Sequence, residues 1–121
     1  MAAADRRAAF DAGLEAYERG DVFLAHELLE PAWMGTPDLA ERELIQGLIK
    51  LAAAFVHAAR GNPAGVAKNL RGARDRLENA GDAGEPTGVD VPTLLAAIED
   101  RLAAPIDVGA PPIPVRGRAR G

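Results

Sequence analysis

Two short runs, Gly20-Asp21 and Gly61-Asn62-Pro63, constrain this chain more than any other feature. Each offers a glycine that can adopt the left-handed conformation ending one helix. Each follows it at once with a residue whose side chain can cap the next. Pro63 suits a first helical position, where a missing N–H leaves no bond unmade. The apolar residues around these turns keep a helical period. Phe10, Leu14 and Tyr17 stand at i, i+4 and i+7 before the first, and Val66, Leu70, Ala73 and Leu77 form an inward row after the second.

The pattern predicts five helices. The first runs from about Asp5 to Arg19, and Asp21 caps the second. Pro31 removes the N–H that would bond the Glu27 carbonyl, so the second helix is expected to kink or end around Glu30. Thr36 as cap and Pro37 at the first position open a long third helix that ends near Arg60. The fourth starts at Pro63. A polar loop of low order covers Gly81 to Gly88, and a fifth helix, about Val91 to Ala103, packs back through Leu94, Leu95, Ile98 and Leu102. The expected fold is all-α: a compact bundle of about five helices, made of two antiparallel hairpins plus a C-terminal helix and an extended tail. Residues 1–104 form the helical domain. Residues 105–121, rich in proline, glycine and arginine, are expected to be extended and partly disordered.

Gly13, Gly20, Ala25, Ala32 and Pro37 fall at tetratricopeptide spacing in the first hairpin. That repeat needs at least three copies to bury its faces. Two imperfect hairpins therefore read as close packing through small residues rather than as a solenoid.

The 121 residues suffice for one core without staples, and the absence of cysteine excludes disulfides and thiolate metal sites. A net charge of −4 argues against a nucleic-acid partner for the chain as a whole, although Arg116, Arg118 and Arg120 make the last residues basic. The most apolar run, Leu44 to Ala59, is interrupted by Gln46, Lys50 and His57. It falls short of the roughly 20 apolar residues of a membrane span. No signal-peptide pattern opens the sequence, and a soluble cytoplasmic protein is expected.

Chemistry-bearing residues concentrate on two helices. His26-Glu27-Leu28-Leu29-Glu30 differs by one residue from the H-E-x-x-H signature of zinc peptidases. His26 and Glu30, one turn apart, have Cβ atoms about 5–6 Å from each other and can share a metal ion or a hydrogen bond. On helix three, Arg42, Gln46, Lys50, His57 and Arg60 form a polar stripe, either the solvent side or part of a pocket against helix two. There is no serine, and Thr36, Thr87 and Thr93 sit in or beside loops, so nucleophilic catalysis has little to use. Water activated by a metal or a carboxylate remains the route for an enzyme.

The blocks "GLEAYERGDVFLAHELLEPAW", "ERELIQGLIKLAAAFVHAARGNPAGVAKNLRGARDRL" and "GVDVPTLLAAI" closely resemble the small bacterial and archaeal proteins called domain of unknown function 309. The resemblance runs from about residue 10 to residue 103, and A-H-E-x-L-E-x-x-W followed by Q-G-L-I and G-N is its specific part. It implies an all-helical fold. Members are sometimes labelled predicted metal-dependent hydrolases. The matching motif positions are His26, Glu27, Glu30, Trp33, Gln46, Gly47 and His57, while Lys50 stands where many relatives carry an uncharged residue.

Two functions follow. The expected one is a helical-hairpin interaction module with a structural pocket of His26, Glu30, Trp33, Gln46 and His57, binding a protein partner or small ligand, or pairing as a homodimer. In it His26 should lie buried beside Trp33, with an apolar patch exposed elsewhere. The alternative is a metal-dependent hydrolase. In it His26, Glu30 and His57 hold a divalent zinc, manganese or iron ion, and Glu27 acts as base.

Overall fold

The computed structural model describes residues 2–83, 87–103 and 110–115. Five α-helices lie within them: α1 (Ala3–Glu18), α2 (Val22–Met34), α3 (Leu39–Ala59), α4 (Pro63–Ala80) and α5 (Val91–Ala103). A single 3-10 turn, Gly81–Ala83, follows α4 where an irregular loop was expected. Residues 84–86, the expected domain boundary near 104 and the three tail arginines lie outside the described residues.

The turn chemistry works as the sequence predicts at both hairpins. Gly20 and Gly61 take φ of 84° and 68°. Asp21 accepts the Leu24 N–H at 3.1 Å, and Asn62 accepts that of Gly65 at 3.3 Å. Between the hairpins two expectations need correction. α2 does not end at Glu30 but continues through Pro31 to Met34. Pro31 is exposed, so its ring meets solvent and the Glu27 carbonyl it leaves unbonded can be hydrated. Nor does Thr36 cap α3. That hydroxyl donates to the Ala32 carbonyl at 2.6 Å, on the last turn of α2, and Asp38 caps α3 by accepting the Glu41 N–H at 2.9 Å.

Neighbouring helices run antiparallel. Arg6 near the start of α1 meets Thr36 beyond the end of α2, and Glu43 early in α3 pairs with Arg76 late in α4 at 3.1 Å. Glycines let the helices of each hairpin approach closely. A Cβ on Gly13 would stand 2.7 Å from Leu29, and one on Gly47 would stand 2.8 Å from Leu77. The core is aliphatic: Leu29 of α2, Leu44, Leu48 and Leu51 of α3, Leu70 and Leu77 of α4, and Leu94 and Ile98 of α5 are fully buried.

The described part of the tail, residues 110–115, is extended, yet it is docked. The Tyr17 hydroxyl donates to the Pro111 carbonyl at 2.7 Å, and Pro111 and Ile113 are buried. The Asp90 N–H donates to Pro114 at 2.9 Å, beside an antiparallel bridge between Val89 and Val115. This segment ties α1 to the start of α5. Among the described residues no helix is long and apolar enough to cross a membrane.

Candidate functional site

Most of the residues singled out by the sequence line the seam between α2 and α3, but not one pocket. At one end, Phe23, His26, Glu27, Val56, His57 and Arg60 line a groove of about 300 Å³. At the other, Trp33, Leu39, Arg42, Gln46 and Arg76 line a second of similar size. Glu30 belongs to neither. With Glu27, Pro31 and Met34 it faces an open hollow of about 590 Å³ on the outer side of α2. The antiparallel arrangement explains the division, since Gln46 and His57 stand three turns apart, about 16 Å along the axis.

The expected placement of His26 beside Trp33 is therefore corrected. Seven residues of helix, about 10 Å of rise, separate them. His26 is half-buried against the end of α3 and makes no hydrogen bond among the described residues; Glu30, one turn on, is exposed. Their 40° offset around the helix is enough to send one toward α3 and the other to solvent.

His57 and Trp33 each have a definite structural role. The Asn62 amide that accepts the Gly65 N–H through its oxygen donates through its nitrogen to His57 Nδ1, at 3.1 Å. Gly65 makes room for the imidazole, because a Cβ there would lie 2.5 Å from His57 Cγ. Asn62 thus caps α4 and latches α3 to it. At the other end Arg42 lies over the Trp33 ring, 4.5 Å from its centroid, and donates to the carbonyls of Trp33 and Thr36 at 3.1 and 3.2 Å. The Trp33 carbonyl, in the last turn of α2, also accepts the Thr36 N–H at 3.3 Å, and the Thr36 carbonyl lies just beyond the helix end. Along the polar stripe of α3, Arg42, Gln46, Lys50 and His57 are half-buried and Arg60 is exposed; all but Lys50 line the two grooves against α2, and Lys50 is laid across Gly72 of α4.

His26 and His57 share one groove, which Glu30 does not line. Among the described residues no three histidine, aspartate or glutamate side chains come together as ligands. A metal-bound histidine characteristically donates its second ring N–H to a neighbour. His57 does the reverse, accepting at Nδ1 from Asn62.

Sequence reasoning passed over a different feature. Among the described residues the exposed large apolar side chains are Phe23 (47%), Met34 (67%) and Leu39 (79%), all on α2 or the first residue of α3. Phe23, Glu27, Glu30 and Met34 follow one another at four, three and four residues, so they form a single outward stripe. That spacing was readable. What hid it was the rest of α2, which is apolar all round apart from His26 and the glutamates.

Residues 10–69 match the family model described as Domain of unknown function (DUF309). The chain belongs to this family. The segment matched to DUF309 begins in α1 and ends at Asn69 in α4, so it holds α2, α3 and the seam between them. α5 and the tail lie beyond it. No curated protein matches the chain.

Proposed function

We propose that this DUF309 protein is a helical-hairpin docking module whose outer α2 face receives a basic amphipathic helix of a partner protein. The observation that carries this reading is the outward stripe itself: two exposed apolar side chains, Phe23 and Met34, with Glu27 and Glu30 between them. Leu39 extends the apolar end across the α2–α3 corner. α2 contains no lysine or arginine.

Charge selects the kind of partner. A second copy packed α2 against α2 would oppose its own glutamates to those of the first, which is unfavourable in a partly desolvated interface. A helix with lysine or arginine between its apolar residues meets carboxylates instead. Phe23 and Met34 lie about 16 Å apart along α2, the reach of three turns of a docked helix. Each large apolar side chain contributes about 1.5–3 kcal/mol when fully buried. With the cost of association set against that, an affinity of order 10 µM is expected.

The test is fluorescence anisotropy with a synthetic amphipathic peptide carrying leucines at matching spacing and lysines between them, beside a version with glutamates for lysines. The lysine peptide should bind, more weakly at high salt, and the glutamate peptide should not. Met34→Lys and the pair Glu27→Lys, Glu30→Lys should each abolish binding in a folded protein. Equal affinity for both peptides, or for wild type and the charge-reversed variant, would overturn the reading. The hydrolase alternative predicts near-stoichiometric metal in the purified protein, lost in His26→Ala.

A further inference from the structure

Away from the α2 stripe, a cavity of about 180 Å³ lies between the first turns of α1, the α2–α3 corner and the segment before α5. It gathers an unusual set of groups. Apart from the Tyr17 phenol, only two polar side chains among the described residues are buried, Thr36 at 2% exposed and Thr87 at 4%, and both line this cavity. Arg6 and Glu41, each half-buried, line it as well, over apolar Phe10 and Ile45.

The charges are arranged with care for both signs. Arg7 lines the cavity too, but its charge is paired with Asp11 at 3.2 Å. Among the described residues that leaves one cation and one anion of the lining unpaired, because neither Arg6 nor Glu41 takes part in an ion pair there. Arg6 is held only by a long 3.4 Å hydrogen bond to the Thr36 hydroxyl, so most of its donors remain for a ligand. The Glu41 carboxylate makes no hydrogen bond of its own; only its backbone N–H does, to Asp38.

We infer that this cavity binds a small zwitterion, an α-amino acid with a compact apolar side chain. Arg6 takes the carboxylate in a charge-assisted hydrogen bond, and Glu41 takes the ammonium. The side chain rests on Phe10 and Ile45. A bare anion would meet the Glu41 carboxylate and a bare cation the Arg6 guanidinium, so each is disfavoured. The volume corresponds to about six waters of bulk liquid, which limits the ligand to the smaller amino acids. The site shares no residue with the docking stripe, and the two proposals stand or fall separately.

The experiment is calorimetric titration of the full chain with L-valine, isovalerate and isobutylamine, the last two being valine without its ammonium and without its carboxylate. Valine is expected to bind at one site, with each half-ligand weaker by about tenfold or more, as expected when a charged hydrogen bond is lost. Glu41→Gln should weaken valine by a similar factor and leave isovalerate no weaker. This variant removes no bond of the fold, whereas Arg6→Met also removes the contact to Thr36. Amide shifts on valine addition should centre on Arg6, Thr36 and Thr87. Equal binding of all three compounds, unchanged affinity in Glu41→Gln, shifts centred elsewhere, or no binding (ordered water only) would each overturn the assignment.

Discussion

Tyr17 shows how much a single side chain holds in place. Its ring is buried beneath the docked tail, and its hydroxyl donates to Pro111. Tyr17→Phe leaves that carbonyl without its partner, which should cost about 1–3 kcal/mol and lower the melting temperature. Burial raises the phenol well above its ordinary value of 10.0, with the positive charge of Arg101 pulling the other way. The folded state therefore holds the proton more tightly than the unfolded chain. This contribution is fully present below pH 10 and is lost as pH rises above it. Because Tyr17 is the chain's one tyrosine, phenolate absorbance reports it alone. It should titrate late in the native protein and near 10 after denaturation. Gly47 is a second such residue: Gly47→Ala places a methyl 2.8 Å from Leu77 Cγ and 3.3 Å from the Ala73 carbonyl. Forcing α3 from α4 should cost about 1–3 kcal/mol, measured by urea unfolding.

At the scale of the element, the three caps Asp21, Asp38 and Asn62 differ in how much they carry. Asp21 and Asp38 each accept one N–H, from Leu24 and from Glu41. Asn62 accepts the Gly65 N–H and also donates to His57. Removing an ordinary cap costs about 1 kcal/mol. Asn62→Ala should exceed Asp21→Ala, and Asn62→Asp should recover the cap but not the latch. Hydrogen exchange in the first turn of α4 and the last turn of α3 separates these outcomes: the alanine variant should loosen both, the aspartate variant only the second. Helix α2 gains its last turn from a different source. Arg42 donates from α3 to the Trp33 carbonyl and to that of Thr36 just beyond the helix, so Arg42→Met should fray α2 near Trp33 and change the fluorescence of the chain's single tryptophan.

Across the whole molecule, the first hairpin is tied to the start of α5 by a segment far from it in sequence. Residues 110–115 bury Pro111 and Ile113 and pair with the backbone before α5. Truncation after Ala103 should leave the helices folded by circular dichroism but lower the melting temperature. Losing the burial of one side chain such as Ile113 alone costs about 1.5–3 kcal/mol. In the truncated chain Tyr17 should titrate closer to its ordinary value. The docking of this segment was not legible beforehand, because a proline-rich run with no period gives no face to assign and reads as a solvated tail.

The sequence by itself determined the helices, the two hairpin turns and the inward rows. Gly20-Asp21 and Gly61-Asn62-Pro63 act within a few residues, and helical period is a local property of the chain. It also supplied the family, through motif residues whose order survives without knowledge of their contacts. The tertiary structure alone decided how those residues are grouped. His26, Glu30, Trp33, Gln46 and His57 look like one cluster along the chain, yet α2 and α3 run antiparallel, so four are divided between the two ends of the seam and Glu30 faces outward. Thr36 reads locally as a cap for α3, but its hydroxyl turns back to Ala32 and meets Arg6, thirty residues away. Spacing fixes which side of a helix a residue occupies; only packing fixes what lies opposite it.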